Sequence, residues 1–289
     1  MAVYGKNGNA LSAVYGINGA EKSLAYDKSG NIVYSKGNRL KVMEYNVGQW
    51  YIGNGNRVPT AQKTEYYNLQ YGTFENNPVD VLFMQEYLNS WCVDGSLASE
   101  FIGPFFDHQE VTSPTGYIGH SICTKQEYPM SNYTSHAFTT NKGNYPSFES
   151  AEITAFGKTI TIVNTHNDYV LSYQRQEVTD LLAFLSGLDY FILCGDFNID
   201  LAVEETTGEQ YQNSVQRFLD AGYHVGNCVV DWIPTYFGTS SPTGGKFTDE
   251  VITSSNIDIV SLYAYTAKLT DGIHDKIDHI PLIAELEIH

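Results

Sequence analysis

Polar side chains able to bind a cation or transfer a proton follow several of the short apolar runs in this sequence. The residues in these places are Asn46, Glu86, His166, Asp196 and Asn198. Carboxylate and amide oxygens are ligands that Mg²⁺ and Mn²⁺ prefer, whereas an imidazole transfers protons near neutral pH. If the ends of the apolar runs meet at one rim of the fold, these residues form a polar pocket over an apolar core.

The elements that must position these residues are short β-strands, which we predict from apolar and β-branched runs. The predicted strands are Leu40–Tyr45, Val79–Met84, Gly119–Thr124, Thr159–Asn164, Tyr190–Cys194, Asn256–Leu262 and Ile280–Ile288. The spacing of apolar residues also predicts a helix capped by Ser172 and a second helix that ends near Gly222. Strands mixed with helices predict an α+β fold in which helices cover packed sheets.

Two further residues able to do chemistry, Asp278 and His279, stand next to each other before the last predicted strand. A carboxylate beside a histidine raises the basicity of the imidazole when the geometry allows it. Adjacent residues of a strand face opposite ways, so we expect His279 to pair with a carboxylate from elsewhere. Neither His279 nor His166 has a histidine at i+4 or a nearby cysteine that would build a nitrogen or sulfur metal site.

Segments that occur in a fixed order resemble the endonuclease/exonuclease/phosphatase superfamily. This superfamily includes the pancreatic-type deoxyribonucleases, apurinic endonucleases, neutral sphingomyelinases and inositol polyphosphate 5-phosphatases. The matching segments are LKVMEYNV, VDVLFMQEY, GHSICTKQEYPM, IVNTHND, FILCGDFN, NIDIV and KIDHIPL. The resemblance implies a four-layer α/β/β/α sandwich, with two mixed β-sheets packed face to face and helices outside.

The resemblance also implies a metal site. Glu86 would be the principal carboxylate ligand of a Mg²⁺ or Mn²⁺ ion, with Asn46 beside it. Asp258 would hold a second metal position or orient a histidine. Phosphodiester hydrolysis needs a Lewis acid on a non-bridging oxygen, a deprotonated water and protection for the leaving oxygen, and oxygen ligands suit a hard cation.

The catalytic residues that the resemblance implies lie in the other matching segments. Asp196 and Asn198 would orient the attacking water and the phosphate. His166 would contact the scissile phosphate or assist the leaving group. Asp278 would pair with His279, which would act as a base or as a donor to the transition state.

One position departs from the superfamily pattern. Glu44 stands two residues before Asn46, where a small or hydroxyl residue is usual. On a strand it shares a face with Asn46, so it would lie beneath the metal. It would then serve as an outer ligand or as a buried acid, or else it is a carboxylate satisfied by a nearby Lys or Tyr.

Composition and loops limit the substrate. The formal net charge of −17 disfavours stable binding to duplex nucleic acid, because polyanions are repelled at long range. The acidic segment after GDFN disfavours a highly phosphorylated head group. Trp50 and Tyr51 follow Asn46 and are candidates to stack on a base or to hold a choline-like head group, or else to anchor their loop.

The first 37 residues form a separate segment before a catalytic domain predicted over residues 38–289. This segment repeats with a period of 11 residues, and each unit carries Asn-Gly or Ser-Gly between short β-prone stretches. It is predicted to form a small β-meander on one edge of the domain, or to bind a protein partner. The N-terminal segment lacks the apolar core of a secretory signal, which predicts a cytoplasmic protein or one whose leader was removed. No apolar run in the sequence is long enough to cross a membrane.

These observations predict a divalent-metal-dependent phosphoester hydrolase, most simply a phosphodiesterase of the nuclease or lipid head-group type. The alternative is a catalytically idle protein of the same fold that binds ligands through its pocket or its N-terminal repeat. The two predictions differ in metal-dependent turnover, which only the enzyme would show.

Overall fold

Two six-stranded mixed β-sheets form the framework of the protein. The computed structural model describes residues 24–26, 32–35, 37–48, 51–52, 56–57, 71–87, 102–112, 119–140, 146–198, 214–229, 247–265 and 279–289. In chain order the strands are β1 (Leu24–Tyr26), β2 (Ile32–Ser35), β3 (Arg39–Asn46), β4 (Tyr51–Ile52), β5 (Asn56–Arg57), β6 (Val81–Gln85), β7 (His108–Thr112), β8 (His120–Thr124), β9 (Ser131–Ala137), β10 (Ser147–Ala155), β11 (Lys158–His166), β12 (Phe191–Asp196), β13 (His224–Val225), β14 (Asp249–Thr253), β15 (Ile257–Ala264) and β16 (Leu282–Ile288).

The strand order places one parallel pair near the middle of each sheet. Sheet I has the order β15-β16-β3-β6-β8-β7, and sheet II has the order β13-β14-β12-β11-β10-β9. Strands β3 and β6 run parallel in sheet I, and strands β11 and β12 run parallel in sheet II. The other neighbours within these two sheets are antiparallel.

The inner faces of the two sheets pack against each other and change from apolar to polar along the central strands. Leu40 and Val42 of β3, with Ile192 of β12, belong to the apolar core between the sheets. Alternate residues of a strand share a face, so the next inner residue of β3 is Glu44 and the one after Cys194 in β12 is Asp196. The apolar part holds the sheets together, and the polar end of the same gap forms the floor of a site.

Helices cover the outer faces, which completes the predicted four-layer sandwich. Helices α1 (Leu171–Leu185) and α2 (Ser214–Asp220) pack on the outer face of sheet II, and helical residues 71–76 pack on sheet I. A short helix, α3 (Gly226–Val229), precedes β14. The predicted fold class is confirmed. No helix among the described residues has the length and apolar character needed to span a membrane.

Two local features predicted from the sequence are the cap of the first long helix and the N-terminal repeat. Helix α1 starts at Leu171 after Val170, and no side chain caps it, so Ser172 is not its cap. Near the N-terminus, β1 pairs antiparallel with β2, and among the described strands this pair joins neither six-stranded sheet. The remainder of the repeat lies outside the described residues.

Candidate active site

Asn46 and Glu86 lie side by side where the parallel strands β3 and β6 end. The Asn46 Nδ2 donates to Glu86 Oε1 at 3.4 Å and to Asp196 Oδ2 at 2.9 Å. Glu86 has a φ of 53°, a left-handed conformation that is uncommon outside glycine and that clusters at functional sites. The Glu86 side chain keeps 20% of its surface exposed, so its carboxylate is open to a cation or a substrate.

The second parallel pair brings His166 and Asp196 to the same place. These residues end β11 and β12, and they are direct neighbours in the sheet. His166 Nε2 lies 3.4 Å from Asp196 Oδ2 and 4.0 Å from Glu86 Oε1. The carboxyl ends of the two parallel pairs, one from each sheet, therefore meet around the Asp196 carboxylate.

Asn198 holds Asp196 and His166 in position. Its backbone is left-handed, with a φ of 54°, and its N–H donates to Asp196 Oδ1 at 2.7 Å. Its side-chain amide donates to His166 Nε2 and to the Asn167 carbonyl, both at 2.8 Å. Because Nε2 accepts this hydrogen bond, the neutral His166 ring carries its proton on Nδ1.

Burial sets the protonation of the cluster in the metal-free protein. Desolvation lowers the pKa of His166 well below its usual range, and His120 and His279 lower it further. Burial and the neighbouring Asp249 carboxylate raise the pKa of Asp196 to about 7. A bound divalent cation would reverse the shift at Asp196, because a positive charge favours the ionised carboxylate.

His279 pairs with Asp249, a residue that the sequence analysis did not identify. The His279 Nδ1 lies 2.9 Å from Asp249 Oδ2, and its Nε2 lies 3.5 Å from Asp196 Oδ2. Thr248 Oγ1 donates to the same Asp249 oxygen at 3.0 Å. Asp196, Asp249 and His279 each offer a ligand atom within 4.8 Å of the others, which defines a possible cation position.

The structure does not bring Asp258 to this cluster, so its assignment as a metal ligand is corrected. Asp258 pairs in the sheet with Glu287, which pairs with Arg39 at the start of β3, whereas Asn46 ends that strand. Arg39 and Asn46 are seven residues apart along β3, which corresponds to about 23 Å of extended strand. The Asp258 side chain is 54% exposed, and its Oδ2 lies 2.9 Å from His289 Nε2.

Three other predicted site residues cannot be placed in the cluster. Trp50 and Asp278 lie outside the described residues, and Tyr51 is described only as the first backbone position of β4. Their roles stay predictions from the sequence.

Glu44 is a buried carboxylic acid directly beneath the site. No N–H or O–H group of the described residues donates to either of its carboxylate oxygens. Burial raises its pKa well above the usual range, and the charges of Asp249 and Asp196 raise it further. The neutral acid is also favoured by a hydrogen bond with Asp249. Glu44 therefore stands behind the Asp249–His279 pair as a proton-carrying neighbour in the metal-free protein.

Comparison with solved structures identifies the fold. Truncated Caenorhabditis elegans TDP2 superposes with a TM-score of 0.66 at 13% identity, covering 86% of this chain and 97% of that chain. An endonuclease/exonuclease/phosphatase from Beutenbergia cavernae DSM 12333 gives 0.66 at 13% identity, covering 87% and 72%. An AP endonuclease from Archaeoglobus fulgidus gives 0.63 at 16% identity, covering 85% and 98%. No protein-family profile matches the sequence, and no curated protein matches it.

These similarities show that the chain shares the fold of these proteins. Identities this low leave the chemistry to be argued from the residues themselves. The cluster offers several carboxylates, two amides and two imidazoles beside the apolar core that fills the rest of the gap further in. Such a set can hold a hard cation, orient a water molecule and move protons.

Buried carboxyl groups with raised pKa values, Glu44 among them, make the metal-free protein less stable as the pH rises. Burial raises the pKa of Asp196 to about 7 and those of Glu177 and Glu250 to about 8. A pKa that folding raises contributes stability below the unfolded value, and this stability is lost as the pH passes through the folded value. Folding lowers the pKa of His166, which opposes the trend only below about pH 6.5.

We therefore expect the urea midpoint of the metal-free protein to fall between about pH 6.5 and pH 8.5, where each pKa unit corresponds to about 1.4 kcal/mol. Adding Mg²⁺ at the upper pH should restore part of the loss, because the cation replaces the proton at Asp196. Glu177→Gln should flatten the pH dependence with or without Mg²⁺, since Glu177 lies on α1 outside the cluster. A midpoint that rises over this interval would contradict the raised pKa values.

Proposed function

We propose that this protein is a divalent-metal-dependent phosphodiesterase. The observation that carries the proposal is the meeting of Asn46, Glu86, His166 and Asp196 at the carboxyl ends of the two parallel strand pairs, one pair in each sheet. The solved structures with this fold include an AP endonuclease from Archaeoglobus fulgidus, and also D. rerio TDP2 in complex with single-strand DNA product.

The residues present fit a hard divalent cation such as Mg²⁺ or Mn²⁺. Glu86 offers a partly exposed carboxylate, and Asn46 links it to Asp196. Burial and the charge of Asp249 raise the pKa of Asp196, and a bound cation would favour its ionised form. When bound, the cation would polarise a phosphate oxygen and lower the pKa of a water molecule.

The surrounding side chains supply orientation and proton transfer. Asp196 accepts hydrogen bonds from Asn46 and Asn198, which direct its carboxylate toward the opening, where it can take a proton from the attacking water. Asp249 holds Nδ1 of His279, so that the opposite nitrogen faces the reacting groups. Asn198 donates to Nε2 of the buried His166, so a contact of this ring with the scissile phosphate would use its Nδ1–H.

The charge of the protein favours substrates that are small, single-stranded or part of a lipid surface. A net charge of −17 repels duplex nucleic acid at long range. Both a nuclease and a lipid head-group hydrolase fit this constraint. Tyr51 and Trp50 are the proposed contacts to a base or to a choline-like group.

Hydrolysis of bis-p-nitrophenyl phosphate with Mg²⁺ or Mn²⁺ tests the proposal. We expect turnover with either ion and none in EDTA. A panel of oligodeoxynucleotide, RNA, sphingomyelin and inositol phosphates then separates the substrate classes. Binding of these compounds without turnover would support the idle alternative instead.

Asp258→Asn provides a matched control for the metal-site variants. The sequence pattern placed Asp258 among the ligands, but its carboxylate lies at the opposite end of sheet I, exposed to solvent. We expect this variant to keep wild-type turnover and metal affinity, whereas Glu86→Gln loses both. Equal losses in the two variants would contradict the position of the site.

Removal of residues 1–35 is expected to leave turnover per folded molecule within about tenfold (1.4 kcal/mol of barrier) of the full chain. The reason is that β1 and β2 pair with each other and contribute no residue to the cluster. Binding to a protein partner, which we propose for this repeat, should be lost. Circular dichroism of the truncated protein checks folding, and a larger fall in kcat would place the repeat at the active site.

A further inference from the structure

A second buried pair of a carboxylate and an imidazole, Glu149 with His120, lies at the polar end of the gap between the sheets. The Glu149 carboxylate is fully buried, and its Oε1 accepts hydrogen bonds from Ser135 Oγ at 3.3 Å and Ser147 Oγ at 3.1 Å. Its other oxygen, Oε2, is hydrogen-bonded to His120 Nδ1. Both carboxylate oxygens are therefore hydrogen-bonded, and the pairing fixes His120 with Nδ1 as the donor.

This pair repeats the construction of the Asp249–His279 pair. In both, a buried carboxylate of sheet II accepts a hydrogen bond from Nδ1 of a histidine in or beside sheet I. His166 lies next to both histidines. Its ring centroid is 6.1 Å from that of His120, and it faces the same Asp196 oxygen as His279.

The position of the pair argues for a role beyond joining the sheets. Next to this pair, the two sheets are joined by neutral amides: Gln85 Nε2 of sheet I donates to Asn164 Oδ1 of sheet II at 2.7 Å. Still deeper, the same strands meet through apolar side chains such as Phe83 and Ile162. A buried ion pair is no more stabilising than well-packed apolar residues, and buried charged groups concentrate at functional sites. The His120 side chain is almost fully buried, and its ring lies beside that of His166.

We propose that His120, backed by Glu149, is a further proton-transfer residue of this site and protonates the leaving oxygen. This inference rests on the proposed phosphodiesterase function. The oxygen of water forms a bond to phosphorus as the bond from phosphorus to the leaving oxygen breaks. His120 acts in its imidazolium form, with its Nδ1–H held by Glu149. The leaving oxygen takes its Nε2 proton, which leaves the neutral Nδ1–H ring, and Asp196 or His279 takes the proton of the water. Release of that proton to solvent and reprotonation of His120 complete the cycle, so no other reactant is consumed.

A series of diesters that differ in the leaving group tests this role. His120→Asn places an amide nitrogen near the position of Nδ1, so it can still donate to Glu149, but it has no counterpart of Nε2. We expect kcat/KM to fall by roughly 10²- to 10³-fold for diesters that release an alkoxide or a phenolate, because these need a proton. For p-nitrophenolate, which leaves without one, the loss should stay below about fivefold.

His136→Asn is the matched control. His136 also bonds to a side chain, with Nε2 2.7 Å from Ser150 Oγ, but it stacks on Phe148 at the outer face of sheet II. This variant should show wild-type rates for every leaving group. Glu149→Gln provides a second test should His120→Asn fail to fold, and the expected dependence on leaving group is the same.

Two outcomes would overturn the inference. If His120→Asn is folded and either keeps wild-type rates throughout or loses the same factor for every leaving group, His120 is only a structural link. Failure of the proposed function would give a different result, because the wild-type protein would then hydrolyse no diester with Mg²⁺ or Mn²⁺.

Discussion

Removal of divalent cations should abolish phosphodiester hydrolysis completely, and adding Mg²⁺ or Mn²⁺ should restore it. The expectation follows from the oxygen-rich cluster, in which Glu86 and Asp196 face each other across Asn46. Glu86→Gln removes the most accessible charge, so it should weaken Mn²⁺ binding at least about tenfold, or 1.4 kcal/mol, in a calorimetric titration.

Stability should hold in this variant, because the Glu86 side chain is partly exposed and its neighbour Asn46 also bonds to Asp196. Thermal unfolding in EDTA measures this directly. Full activity after exhaustive chelation would show that the cluster works without a metal, and unchanged Mn²⁺ affinity in Glu86→Gln would remove Glu86 from the ligands.

The second large effect is expected at the two site histidines. His279→Ala and His166→Ala should each lower kcat by roughly 10²- to 10⁴-fold, the range for loss of a group that transfers a proton or stabilises charge. Asp249→Asn should act in the same direction with a smaller loss, because it leaves His279 present but changes the acceptor at Nδ1.

Metal affinity decides which role His279 has. Its Nε2 lies near Asp196 and Asp249, where a cation could reach it, yet carboxylate oxygens are available to hold a hard cation without it. We therefore expect Mg²⁺ and Mn²⁺ affinity to change little in either histidine variant, with the exposed His224→Ala as the control. Loss of metal binding in step with activity would make that histidine a ligand.

Much of the site could be predicted from the sequence because strand periodicity is local. Alternation along β3 and β12 places Asn46 and Asp196 on the inner face, and both end parallel strands whose carboxyl ends point the same way. The residues that follow apolar runs are therefore brought together by the fold. The resemblance of the ordered segments to the superfamily, together with this strand pattern, predicted the two mixed sheets and the helices outside them.

Only the tertiary structure shows which site residues come from antiparallel strands. An antiparallel strand delivers its first residue, rather than its last, to the rim where its neighbour ends. Asp249 begins β14 and His120 begins β8, so both reach the site, although neither follows an apolar run. The sequence by itself carries no sign of strand direction, and the resemblance of the segment NIDIV pointed to Asp258 rather than to Asp249.

The pairing of charges across the gap was likewise beyond the sequence. Glu149 and His120 are 29 residues apart, and Asp249 and His279 are 30 residues apart, so no local spacing connects them. Their contacts arise because the two sheets pack face to face and the polar end of the gap must satisfy every buried charge. The sequence determined which residue types could do chemistry, and the packing of sheet on sheet decided which of them meet.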